Sequence, residues 1–145
     1  ANGGVLMKPY VVVRIESADG KVIKTYDAAS YGALITAEES TALQELMIEV
    51  VESGTAARLS SYGHTAGGKT GSAEYNSLGD SHAWFTGFAP YDNPEIAIVA
   101  VIEHGGEGTY VANVVRPIID EYFKITSEEK LNEKKQNVKE NIIEF

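Results

Sequence analysis

Lys69, Thr70 and Ser72 stand close together among Gly67, Gly68 and Gly71 in the stretch Ala66–Tyr75, with Ser60, Ser61 and Tyr62 before it and Asn76 after. Glycine removes the Cβ that would hold a ligand away from the backbone. Lysine supplies a point charge on a long stem, and threonine adds a directional hydroxyl donor. Together these residues make a docking ledge for an anion.

Two motifs fit the ledge. Gly63–Thr70 matches the phosphate-loop pattern of glycine, four residues, then Gly-Lys-Ser/Thr. Lys69-Thr70-Gly71 matches the Lys-Thr-Gly element that accompanies Ser-x-x-Lys and Ser-Asp-Asn in penicillin-recognising serine enzymes. A phosphate loop needs a buried strand before it and a helix starting at the Lys-Thr, whose N-terminus holds the phosphates. Arg58–Tyr62 is too polar for that strand, and Gly71 is a poor residue for a first helical turn. His82–Phe88, rich in aromatics, reads instead as a following strand. The ledge is therefore expected on a strand edge. A nucleotide-binding module using Gly63–Thr70, with Glu103 as a magnesium partner, is the alternative; a helix springing from Thr70 would favour it.

Beyond the motif, the chain resembles a known family. Gly68–Ala73, then His82–Pro90, then Asn93–Glu103 look like the C-terminal part of a class B penicillin-binding protein transpeptidase domain. Ala1–Pro9 and Val50–Ala56 resemble segments that the family carries upstream of its Lys-Thr-Gly. The match runs in order over residues 1–124, with Ser72 standing where the family usually has threonine. The resemblance implies an α+β fragment of the β-lactamase-like transpeptidase fold, with antiparallel strands and helices packed on the sheet faces. It implies a D,D-transpeptidase that cross-links peptidoglycan outside the plasma membrane through a serine acyl-enzyme, without metal or cofactor. Lys69 would then supply positive potential for the carboxylate of a stem peptide or β-lactam, and Thr70 a hydroxyl to the same group. Gly71 would let the substrate lie against the strand, and the Ser72 backbone N–H would be one oxyanion donor.

An acyltransferase of this kind also needs an activated serine with a base beside it. No Ser-x-Asn occurs in the chain, and its one Ser-x-x-Lys, Ser127–Lys130, carries two glutamates and reads as a helix N-cap. The nucleophile is thus expected outside these residues. With no initiator methionine before Ala1, the chain reads as a piece cut from a longer, membrane-anchored protein, inactive alone and partnered by the rest of its own domain.

Composition narrows the field further. The 145 residues are of one-domain size, and 21 acidic against 12 basic residues give a net charge of −9, which repels nucleic acid. The absence of cysteine excludes disulfides and thiol chemistry. The longest apolar run, Ile96–Ile102, is too short to cross a bilayer.

The elements that must position the ledge follow in order. Pro9–Ile15 and Lys21–Tyr26 flank Asp19-Gly20, a hairpin signal with no chemistry of its own. Thr36-Ala37-Glu38-Glu39 has capping-box spacing, and Ala42, Leu43, Leu46, Met47, Val50 and Val51 form one apolar stripe ending at a cap glycine, Gly54. The helix is expected to pack on the sheet. Ile96–Ile102, apolar throughout, is expected to be a central strand covered on both faces. Val111, Val114, Val115, Ile118, Ile119 and Tyr122 form a second helical stripe, with Pro117 bending it or marking its start. Residues 125–145 read as a polar helix or tail. Trp84 is expected in the core, His64 is a candidate cleft residue, Glu107-Gly108-Thr109 reads as a plain turn, and His64, His82 and His104 lack the spacing of a shared metal site.

Overall fold

The computed structural model describes residues 1–60, 64–75 and 79–124. The tail over 125–145 with its Ser127–Lys130, and the flanking Ser61, Tyr62, Gly63 and Asn76, lie outside the described residues. The chain divides into two compact units, Ala1–Gln44 and Glu45–Phe145.

In the first unit, β1 (Val5–Met7) pairs antiparallel with β4 (Ser30–Ala33), and β2 (Arg14–Glu16) with β3 (Val22–Thr25). The Asp19-Gly20 hairpin is present. Gly20 takes φ 82°, and its N–H donates to the Ser17 carbonyl at 2.9 Å. Only Gly and a few polar residues accept that left-handed conformation readily. The strand before the turn is shorter than its β-branched sequence suggests, because it starts at Arg14 rather than Pro9. Val11, Val12 and Val13 are exposed and precede the strand, although the Val13 carbonyl still accepts the Tyr26 N–H at 2.9 Å.

Helix α1 (Ala37–Glu52) opens with the expected reciprocal cap. The Glu39 N–H donates to Thr36 Oγ1 at 3.2 Å, and the Thr36 N–H to Glu39 Oε2 at 2.8 Å. Each bond satisfies one of the donors a helix start leaves free. The stripe behaves differently from expectation. Val50 and Val51 join the second unit's core, but Leu46 is 66 % exposed and Leu43 is exposed too, since no described element covers that face. Gly54 does end the helix, though through crowding rather than a left-handed φ. A Cβ there would sit 2.8 Å from Val50 Cα and 2.9 Å from the Val50 carbonyl oxygen.

The second unit is built on an antiparallel sheet of β5 (Gly67–Ala73), β6 (His82–Ala89) and β7 (Ile96–Ile102) in the order β5-β6-β7. A 3-10 turn, Gly108–Val111, leads into helix α2, described from residue 112 to 124. Val111, Ala112, Val115, Ile119 and Phe123 face inward at mostly four-residue spacing and close over Phe85, Ala83, Val51, Ala56 and Leu59. Burial of a side chain the size of Phe85 is worth about 1.5–3 kcal/mol. The α2 stripe is narrower than its sequence suggests, because Val114 and Ile118 are exposed; Pro117 lies inside the helix, beyond its first turn.

β6, not β7, is the central strand of this sheet. On β7, Ile96, Ile98, Ala100 and Ile102 turn toward the core, while Val99 is 68 % exposed and Val101 is exposed. A uniformly apolar run cannot reveal which of its two alternating faces is covered.

Candidate functional site

The ledge lies on β5, and its alternation sorts the site residues. Lys69 pairs with Thr86, Thr70 with Phe85, Gly71 with Trp84 and Ser72 with Ala83. Residues paired across a strand share a face, as do residues two apart. Lys69, Gly71, Thr86 and Trp84 therefore share the outer face, while Thr70 and Ser72 share the face of buried Phe85 and Ala83. No helix begins at Lys69-Thr70, so the convergent amides of a phosphate loop are absent here. Among the described residues β5 has a strand on one side only, which leaves its other edge open.

The glycines divide into two kinds. A Cβ on Gly68 would collide with the Phe85 ring, and one on Gly67 would come within 2.6 Å of Phe88 Cζ. These two glycines make room for aromatic rings of β6. Gly71 is different: its Cβ would meet only Trp84 Cβ, at 3.5 Å. Of the three, Gly71 is the one with open space beside its Cα.

Around Gly71 the polar groups converge. Thr70 is 8 % exposed, and its Oγ1 lies 2.7 Å from Thr55 Oγ1, with either hydroxyl able to donate. Lys69 Nζ donates to the Thr70 carbonyl at 2.6 Å, which draws the ammonium along the strand. Ser72 Oγ accepts the Gly108 N–H at 3.0 Å. Gly108 sits so close to Gly71 that a Cβ on it would strike the Gly71 backbone. Thr55, Lys69, Thr70, Gly71, Ser72, Glu107, Gly108 and Thr109 line a cleft of about 410 Å³.

Lys69, Thr70, Gly71 and Ser72 thus share one cleft. Thr55 and the Glu107–Thr109 rim belong to it as well, although neither belongs to the Lys-Thr-Gly motif. The 107–109 segment is the cleft wall rather than a plain turn. The sequence does not mark this wall: Gly108's need to lack a Cβ shows only in its packing on Gly71. The rim also brings Glu107 to the same cleft as Lys69, with Thr109 Oγ1 donating to Glu107 Oε2 at 3.4 Å. A cationic strand facing an acidic rim favours a ligand that carries an anion toward β5.

Other candidates fall elsewhere. His64 stacks on Phe123, with ring centroids 4.4 Å apart, and does not line the cleft. Trp84 is 41 % exposed on the outer face rather than in the core, because the alternation that buries Ala83 and Phe85 turns it outward. His82 and His104, far apart in sequence, meet across the β6 and β7 ends: the His104 N–H donates to His82 Nδ1 at 3.0 Å, and Tyr75 packs on both rings. Glu103 does not line the cleft.

An α+β unit with an antiparallel sheet, a helix closing one face and an edge strand presenting Lys-Thr-Gly defines the class of the penicillin-recognising fold. The family model for the penicillin binding protein transpeptidase domain matches residues 1–120, and the chain belongs to that family. Peptidoglycan D,D-transpeptidase MrdA of Acinetobacter baumannii is 29% identical over 140 residues, covering 87% of this chain and 21% of that protein. Peptidoglycan D,D-transpeptidase PbpA of Mycobacterium tuberculosis is 28% identical over 129 residues, covering 83% of the chain and 26% of that protein. Among solved structures, the D,D-transpeptidase domain of a peptidoglycan glycosyltransferase from Eggerthella lenta superposes with a TM-score of 0.77 at 27% identity. That superposition covers 87% of this chain and 30% of the solved one. The imipenem acyl-enzyme complex of penicillin-binding protein A from M. tuberculosis gives 0.73 at 28% identity, over 82% and 27% of the two chains. The chain therefore spans less than a third of the length of these relatives. Among the described residues no helix is long and apolar enough to cross a membrane.

Proposed function

We propose that this chain supplies the carboxylate-binding strand of a peptidoglycan D,D-transpeptidase, with residues 1–124 as its portion of the transpeptidase domain and 125–145 as a polar extension. The observation that carries the reading is the convergence of Lys69, Thr70, Gly71 and Ser72 on one cleft beside a strand that, among the described residues, pairs on one side only. An extended peptide can lie along such an edge by strand addition. Lys69 gives the site positive potential and Thr70 a hydroxyl for the terminal carboxylate of a stem peptide or of a β-lactam. The Ser72 N–H is one donor to the oxyanion that forms when a serine hydroxyl attacks the substrate carbonyl. Such a donor is worth about 2.7–4 kcal/mol of transition-state stabilisation.

The attacking serine and its base come from the remainder of the domain. Consistent with that division, the outer sheet face carries exposed Trp84, Val99 and Val101, and relatives extend well beyond this chain. The exposed apolar face is the surface on which the remainder is expected to pack. In the whole protein the carbonyl carbon passes from the leaving D-alanine nitrogen, or from the β-lactam nitrogen, to the serine oxygen. An acceptor amine then takes the acyl group and frees the serine. The reaction takes place on the outer side of the plasma membrane.

Fluorescent penicillin tests the assignment. The protein carrying the whole domain is expected to label covalently, Lys69→Ala to label far more slowly, and the isolated 145-residue chain not at all. A stable covalent band on the isolated chain would place the nucleophile inside it and overturn the division of labour.

A further inference from the structure

Thr55 has no place in the Lys-Thr-Gly motif, yet its hydroxyl is the one polar side chain bonded to that of Thr70 (2.7 Å) among the hydrogen bonds described. Gly54 brings it there. Packed against the Val50 backbone, Gly54 turns the chain at the end of α1, and the Ala56 N–H, reaching back 3.1 Å to the Val50 carbonyl, holds the turn closed. The next residue but one, Ala56, is wholly buried, so the turn is pinned to the core just after Thr55. A hydroxyl has one proton and two lone pairs. Two hydroxyls at this distance share a single proton between them, which leaves the other proton free to point elsewhere. When an anion takes the Thr70 proton, Thr55 must be the donor in the pair, and its bond polarises the Thr70 O–H further. A carboxylate, which can only accept, suits that arrangement.

We propose that Thr55 is a positioning residue that commits the Thr70 hydroxyl to donation into the cleft and so selects for a ligand carboxylate. The assignment rests on the reading that Thr70 meets the substrate carboxylate. It adds the group that turns an ambivalent hydroxyl into a directed donor. Without Thr55, the mostly buried Thr70 oxygen loses its donor, and the Thr70 O–H is no longer polarised toward the cleft.

The test compares benzylpenicillin with its methyl ester as acylating agents of the protein carrying the whole domain. Thr55→Val keeps the shape and removes the hydroxyl; Thr55→Ser keeps the hydroxyl and removes the methyl. Thr55→Val is expected to slow acylation by the free acid by roughly five- to tenfold, the worth of one hydrogen bond, and to slow the ester, whose uncharged carbonyl accepts a weaker bond, by clearly less. Thr55→Ser is expected to restore most of the acid rate. Should Thr55→Val fail to fold, Thr55→Ala carries the same expectation, with melting temperature as the control. Equal slowing of acid and ester, or no rescue by serine, would reduce Thr55 to a structural tie and overturn the proposal. Thr70→Val separates the two levels. If it too slows acid and ester alike, the carboxylate reading of Thr70 fails; if it discriminates between them while Thr55→Val does not, only the role of Thr55 fails.

Discussion

The Gly108 amide donates to the Ser72 hydroxyl at 3.0 Å, and the same glycine rests on the backbone of Gly71. The wall of the cleft is thereby fastened to the strand that forms its floor. Ser72 thus holds the rim through its side-chain oxygen, which accepts the bond. Gly108→Ala is expected to break this arrangement. Its Cβ would fall on the Gly71 carbonyl oxygen and 2.8 Å from the Gly71 nitrogen, both main-chain atoms that cannot swing aside. Overpacking of this kind costs about 1–3 kcal/mol. Thermal unfolding of the chain should show that loss, and acylation of the whole protein should fall with it. An unchanged melting temperature would mean that the rim is not seated on β5.

Gly68 and Gly71 are expected to respond oppositely to the same substitution. Gly68→Ala drives a methyl into the Phe85 ring at the centre of the core and should cost about 1–3 kcal/mol in denaturant unfolding. Phe85→Leu made together with it should return part of that loss, because the two residues share one volume. Gly71→Ala meets only Trp84 Cβ at ordinary contact distance, so stability should change by less than about 0.5 kcal/mol. Acylation by β-lactams should nonetheless drop, since the new methyl stands where the ligand would lie. A Gly71→Ala protein that acylates normally would show that substrate does not run along β5.

The sequence made the strand reading of the ledge legible, because Gly71 and the polar run before it are incompatible with a phosphate-binding helix. The cap of α1 was equally plain: Thr36 and Glu39 carry the whole signal locally. What stayed hidden depends on partners distant in the chain. Thr55 and Thr70 are fifteen positions apart in sequence and meet only through the turn at Gly54. Trp84 was misplaced because an aromatic-rich strand does not announce which of its faces is inward. Leu43, Leu46, Val99 and Val101 look like core residues by type, yet nothing described covers them. His64, next to the ledge in sequence, found Phe123 instead.

Glu107 offers a test of the electrostatics of the rim. Its carboxylate shares the cleft with Lys69, so it opposes the approach of an anionic β-lactam while leaving the donors intact. Glu107→Gln is expected to raise the acylation rate by about twofold at low ionic strength, with the gain shrinking toward physiological salt as the field is screened. The stopped-flow rate measured against salt concentration checks this. A gain that does not depend on salt would point to a local hydrogen-bond effect, such as the loss of the Thr109 contact, and not to the field.

Asp19 gives the first unit a pH dependence that can be read by itself. The Ser17 hydroxyl, donating to the Asp19 carboxylate at 2.5 Å, is the main cause holding that carboxyl below its ordinary value. A depressed carboxylate contributes stability that is fully present above the unfolded-state pKa, near 3.9, and is lost as pH falls through the folded value. The hairpin should therefore hold its native Asp19-Gly20 turn at neutral pH and loosen only in strong acid. Ser17→Ala removes the main cause, so the Asp19 titration followed by NMR should move upward toward the ordinary carboxylate range and the loosening should begin at higher pH. Because the carboxylate is fully exposed, solvent screening keeps the effect small, and the titration is a more sensitive readout than the melting temperature. A midpoint that does not move in Ser17→Ala would assign the depression to the turn's backbone amides instead.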